Sequence, residues 1–219
     1  MGIEIDLLQN YPKTKRDVKS RAQHKSENDR KIARRFDEAF FDGDRKHGYG
    51  GFYYHPRFWQ PVVPDFKRHF GLDHTRRVLD IGCAKGFMLH DLAGLIPGIG
   101  IAGIDISNYA VANAIEDVRD CLVVGNATQL PFQDHAFDVV ISINTIHNLD
   151  IDECAVALAE IERVSKGASF ITVDAYRNED ERELMEAWNL TAKTMLHVDE
   201  WVNFFHQVGY SGDYYWFIP

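Results

Sequence analysis

The sequence predicts a doubly wound, mostly parallel α/β sheet preceded by a helical and aromatic N-terminal segment. Three observations carry that prediction. From Arg77 onward, short apolar runs alternate with stretches of helical periodicity, the pattern of strands joined by crossover helices. The first apolar run passes through a glycine-bearing turn into a helix, VLDIGCAKGF over 78–87, the unit that opens a ligand crevice in such sheets. Finally, 219 residues with 45% hydrophobic content supply the core of one such domain and one extra element, but not two full domains.

Taken in order, 78–81 reads as a buried strand, and Met88, Leu92 and Leu95 mark the helix that follows. A second strand is expected at 101–104, after which Ser107 can cap a helix carrying Val111, Ile115 and Val118. Residues 122–124, 137–142 and 170–173 read as the third, fourth and fifth strands. Between the last two, Asp150 with Glu153 three residues on forms a capping box ahead of Cys154, Leu158, Ile161 and Val164. A polar helix over 179–190, a helix in DEWVNFFHQVGY and a terminal strand in DYYWFI complete the chain. Lacking a crossover of its own, that last strand is expected to run antiparallel.

Ahead of the sheet, the expected division places a helical and aromatic lid at 1–64 and the ligand-binding domain at 65–219. Half of the 24 Lys and Arg residues fall between Lys13 and Lys46, with Ile32, Phe36 and Phe40 at helical spacing, which reads as one charged amphipathic helix. The stretch HGYGGFYYHPRFWQP is too rich in Gly and Pro for a helix, and its rings suit either a wall over a ligand or a core plug.

Composition narrows the partners. A net charge of -9 and no basic stripe argue against nucleic acid, whose binding rests on Lys and Arg neutralising phosphates. No stretch of about 18 apolar residues suggests a membrane span. Three widely spaced cysteines, Cys83, Cys121 and Cys154, suggest reduced thiols and a cytoplasmic protein. The ten histidines show no metal-ligand spacing, so no metal is expected. Neither composition nor motif sets an oligomeric state.

The chemistry concentrates where the first two strands end. Gly82 and Gly86 permit a tight turn and close backbone approach, but Asp80 at the strand end would repel phosphates. Ala84 stands at the middle glycine of the G-x-G-x-x-G fingerprint, and there is no G-x-x-x-x-G-K-[ST] run. A cationic ligand without phosphates fits better. Asp105 follows 23 residues after Gly82, in AGIDIS, where a carboxylate can accept both hydrogens of a ribose diol. GNATQLPF after the third strand then brings Asn126 and Ala127 to the same crevice.

With these motifs, the sequence resembles the class I S-adenosylmethionine-dependent methyltransferases, particularly small bacterial members associated with sugar or secondary-metabolite gene clusters. The resemblance covers 78–173 well and the C-terminal helix and strand loosely. It implies a Rossmann-like methyltransferase fold, S-adenosyl-L-methionine as cofactor and methyl transfer to the O or N of a small-molecule acceptor. In that family the residues matching Asp80, Gly82 and Gly86 surround the methionine moiety and the one matching Asp105 holds the ribose. Asn126 stands where the family usually has Asp facing adenine, and an amide can both donate and accept there. Cys83, Ile106, Ala127 and Asn144 complete the expected cofactor set.

On the acceptor side, SINTIHNLD places His147 at the end of the fourth strand, where a neutral imidazole could take a proton from a hydroxyl or amine. Tyr49, Tyr53 and Arg57 before the sheet, with Asp174, Tyr176 and Arg177 after the fifth strand, are the candidate acceptor contacts. Two other readings use the same scaffold: a different reaction with S-adenosylmethionine or a related nucleoside, and a non-catalytic binding module. Release of S-adenosylhomocysteine separates methyl transfer from the first; intact cofactor motifs argue against the second.

Overall fold

A computed structural model describes residues 2–12 and 26–218. Strands β1 (Arg77–Ile81), β2 (Gly100–Asp105), β3 (Leu122–Val124), β4 (Val139–Ile143) and β5 (Ser169–Tyr176) lie in the order β3-β2-β1-β4-β5. Each pairs in parallel, with Leu79 opposite Ala102 on one side and Val140 on the other. The short β6 (Leu196–His197) pairs with the last two residues of β5, and β7 (Asp213–Phe217) pairs along its length. The doubly wound parallel sheet expected from the sequence is therefore present.

Helices cover both faces, as a parallel sheet requires. Leu79, Ile81, Val140, Ile171 and Val173 pack against Cys154, Leu158 and Ile161 of α6 (Ile151–Val164) and against Trp201 and Phe205 of α8 (Val198–Val208). On the other face, Val78, Val139, Ile141 and Phe170 meet Met88 and Leu92 of α4 (Phe87–Leu95) and Phe66 of α3 (Val63–Phe70). The Asp150–Glu153 capping box starts α6 as expected, and its buried side chains include Cys154, Leu158, Ile161 and Val164.

Several elements depart from the sequence reading, each for a local reason. β7 is parallel to β5, not antiparallel, because α8 carries the chain back along the sheet before the strand begins. Its outer edge is closed by the N-terminal segment: Ile5 N–H donates to Tyr214 O, and Tyr214 N–H to Ile3 O. Residues 2–12 thus dock on the sheet, and Leu7 is buried beside Val62, Val63 and Phe66. The single helix through Ile32, Phe36 and Phe40 is two: α1 (Glu27–Ala33) and α2 (Glu38–Phe41). Phe36 between them has φ +50°, and Asp37 starts the second by accepting Ala39 N–H. Part of the expected helix, 13–25, lies outside the described residues.

After β2, Ser107 does cap a helix, accepting Ala110 N–H, but α5 (Asn108–Ala112) stops there and Val118 falls in a separate 3-10 turn. The break occurs where Ile115 N–H turns to Lys85 O. Phe137 precedes β4 and forms only a single bridge to Ser165. Helix α7 (Glu179–Trp188) stands close to its expected bounds. Among the described residues, no helix is long and apolar enough to cross a membrane.

Candidate cofactor and acceptor site

The turn after β1 is built around Asp105. Gly82 has φ +80° and Ala84 φ +50°, the left-handed region that a residue with a Cβ enters at a cost. Asp105 stabilises that shape: its Oδ2 accepts Ala84 N–H at 2.7 Å and its Oδ1 accepts Ser107 N–H at 2.8 Å. One carboxylate joins the loop after β1 to the loop after β2. A Cβ on Gly82 would collide with the Thr145 side chain, so glycine is needed for packing as well as for backbone shape. Each Asp105 oxygen retains acceptor capacity after one backbone bond.

Asp80 is buried and, among the described residues, receives no hydrogen bond or ion pair. Burial, and secondarily the charge of Asp105, push its carboxyl up to about 8. Burial also raises Asp105, against the two backbone bonds that lower it. Cys83 in the same turn is buried, and burial with the two carboxylates pushes its thiol up, so it is a neutral packing group. Ile106 next to Asp105 is 53% exposed, an apolar side chain left in the open at the mouth of the crevice. A buried carboxyl without a donor, a carboxylate with spare lone pairs and an exposed isoleucine together call for a ligand with a cation, hydroxyls and a flat apolar part.

The loop after β3 is held from below. Arg163 donates to Leu130 O at 3.0 Å and Phe132 O at 2.7 Å and pairs with Glu160, whose Oε2 accepts Leu130 N–H at 2.7 Å. Asn126 is exposed and its Oδ1 accepts Thr128 N–H, which leaves its amide hydrogens to face outward contacts; Ala127 packs partly into the core. The sequence reading missed Glu160 and Arg163, although their i,i+3 spacing on a capped helix marked them as a pair.

The family model described as a methyltransferase domain matches residues 79–172, the stretch that carries all of this geometry. That stretch is a methyltransferase domain of the class I S-adenosylmethionine-dependent kind. The chain is 30% identical over 138 residues to malonyl-[acyl-carrier protein] O-methyltransferase of Legionella pneumophila, covering 61% of the chain and 47% of that protein. It is 32% identical over 128 residues to tRNA (carboxymethyluridine(34)-5-O)-methyltransferase of Arabidopsis thaliana, covering 57% and 30%. The chain spans about half or less of the length of these relatives. A Haemonchus contortus phosphoethanolamine N-methyltransferase 2, solved with phosphomonomethylethanolamine and S-adenosylhomocysteine, shares the fold at TM-score 0.58 and 20% identity, covering 81% of the chain and 44% of its own.

The residues here fit S-adenosylmethionine. Asp80 would offer an unused buried carboxyl to the cationic methionine moiety, Asp105 two acceptors to the ribose diol, and Ile106 an apolar surface to the purine. A proton must then leave Asp80, because a nearby positive charge favours the carboxylate. Binding at pH 7 is expected to release up to one proton, read as a dependence of the calorimetric heat on buffer ionisation enthalpy; no such dependence would contradict the Asp80 assignment. The ligand-free protein should also lose stability as pH rises from about 4 to about 8, since the folded form holds on Asp80 a proton that the unfolded chain gives up near 3.8.

The acceptor side differs from the sequence reading in one respect. His147 is buried at the end of β4, and its Nδ1 accepts Asp174 N–H at 2.8 Å. The lone pair expected to take a proton is thus committed, and Nε2 carries the hydrogen. Burial pulls the ring below its usual basicity, against the opposing charge of Asp174. The geometry makes His147 a peg that fastens the end of β4 to β5, and its backbone O also accepts Lys193 and Thr194 N–H. Asn144, with φ +52°, is similarly tied to Thr172 through its N–H and its Oδ1.

The other candidates have these surroundings. Tyr49 lies among Phe40, Phe41 and Phe52, while Tyr53 is 74% exposed, with Lys85 Nζ 5.5 Å from its ring. Arg57 stacks on Phe58, whose ring meets Tyr11. Tyr176 sits at the crevice end of β5 against His197. Arg177 is half exposed, 4.0 Å from both Glu4 and Glu181.

Proposed function

We propose that this protein transfers the methyl group of S-adenosylmethionine to the oxygen or nitrogen of a small molecule, a sugar or secondary metabolite, beneath a lid formed by residues 26–54. The observation that carries the reading is the donor-free buried Asp80 beside Asp105 under the Gly82–Gly86 turn. It favours a cationic nucleoside and disfavours phosphates. A sulfonium supplies an already activated methyl group, so the protein's main tasks are alignment and exclusion of water. His147 serves as a positioning residue: by fixing the ends of β4 and β5 it sets the wall against which the acceptor lies.

A small acceptor is supported by the net charge of -9 and by the aromatic lid, whose Phe40, Tyr49 and Phe52 rings pack edge to face and tilted beside the cofactor turn. The three free thiols suit a cytoplasmic setting. The similarity to a tRNA methyltransferase supplies the competing acceptor class. Incubation with methyl-tritiated S-adenosylmethionine and separated cell fractions distinguishes them. Label should pass to the small-molecule fraction with release of S-adenosylhomocysteine; label confined to RNA or protein would overturn the small-molecule reading.

A further inference from the structure

Asp42 joins three segments with one carboxylate. Its Oδ1 accepts Phe52 N–H at 2.8 Å, while its Oδ2 accepts Lys85 Nζ at 2.6 Å and Tyr109 OH at 2.7 Å. Lys85 belongs to the cofactor turn after β1, and Tyr109 to the first turn of α5, four residues beyond Asp105. The Lys85 and Asp42 side chains are only 6% and 14% exposed. Burial would push the Asp42 carboxyl up, but the Lys85, Phe52 and Tyr109 donors outweigh it and hold the carboxyl low. Tyr109 is pushed up to about 12, first by its bond to Asp42 and then by burial. Around this centre Phe52 stacks on Phe87 at 5.0 Å, and Tyr54 OH donates to Asp91 at 2.6 Å.

The cluster is a polar contact between the segment at 42–52 and the two loops, beside the apolar cores rather than part of them. A buried ion pair is weak support for stability, because desolvation offsets its attraction, whereas leaving one partner alone is costly. Such a pair is well suited to holding one arrangement of segments against others. The segments here are the lid and the two loops that carry Gly82, Gly86 and Asp105.

We propose that Asp42 and Lys85, with Tyr109, form a latch that couples closure of the lid to the grip on S-adenosylmethionine. The latch rests on the reading of residues 26–54 as a lid. Linkage makes the coupling reciprocal: a bound cofactor that orders the two loops favours the closed latch, and a broken latch weakens the cofactor by the same factor.

The test titrates S-adenosylhomocysteine into the wild-type chain, Asp42→Asn, Lys85→Met, the double variant and Tyr109→Phe, with hydrogen exchange followed over 40–54. Each charge variant should bind about ten-fold more weakly, and the double variant no more weakly than the poorer single one, since both remove the same interaction. Ligand-induced protection of 40–54 should appear in the wild type and vanish in Asp42→Asn, while amides of β4 and β5 remain protected. Tyr109→Phe removes one hydroxyl and should cost about two- to five-fold, so it decides the matter if the charge variants do not fold. Wild-type affinity and protection in folded variants would overturn the latch and leave the lid standing. Absence of protection in a wild type that binds the ligand would overturn the lid and the latch with it.

Discussion

Asp105→Ala should weaken S-adenosylhomocysteine binding by ten-fold to a hundred-fold, on the order expected for losing charged hydrogen bonds to a ribose diol. The carboxylate has a second task, which makes the effect large. Ala84 N–H and Ser107 N–H both end on it, so the variant frees the left-handed Ala84 turn as well as the ribose. Asp105→Asn retains the shape and one acceptor oxygen and should fall between the two. Calorimetry gives the affinities and circular dichroism checks the fold. An unchanged affinity in a folded Asp105→Ala protein would remove the ribose assignment.

His147→Ala should have the largest effect on stability. It empties a buried site and leaves Asp174 N–H without an acceptor, at a cost of about 2–4 kcal/mol. For a chain of this size that corresponds to a fall in Tm of roughly 4–16 °C. His147→Asn separates positioning from proton transfer, because its amide oxygen can take the Asp174 N–H in place of Nδ1 while the residue has no basicity. The positioning role predicts that Asn restores stability and keeps methyl transfer within about ten-fold of the wild type. A folded Asn variant that loses about 10²- to 10⁴-fold, the range for removing a general base, would make His147 the base after all.

Much of the fold was legible because its signals are local and additive. The buried strand at 78–81, the Ser107 cap and the Asp150–Glu153 box each depend on residues within one turn of each other, and all three stand where the pattern puts them. The direction of β7 was not legible, because it depends on how α8 crosses the sheet. Nor was the break at Phe36, where an Asp37 cap three residues before Phe40 competes with an apolar stripe that continues past it. The docking of the N-terminal segment on the sheet edge escaped notice because its bridge partner, Tyr214, lies at the other end of the chain.

In the site, the glycines and carboxylates were legible as a spaced motif, since the backbone shapes they require are set by neighbours in sequence. Their supports were not. Lys85 stands inside the quoted motif, but only the fold brings Asp42 to it, and Arg163 reaches its loop across more than thirty residues. His147 was placed correctly at the end of β4, yet its role turned on which nitrogen meets Asp174 N–H, and spacing carries no information about ring orientation.

The most direct measurement is a crystal structure of the protein grown with S-adenosylhomocysteine. The ribose hydroxyls are expected about 3 Å from the Asp105 oxygens, the amino group of the homocysteine beside Asp80, the purine against Ile106, and Asp42 still bound to Lys85. Density for the ligand outside this crevice, or a ribose that makes no contact with Asp105, would contradict that placement.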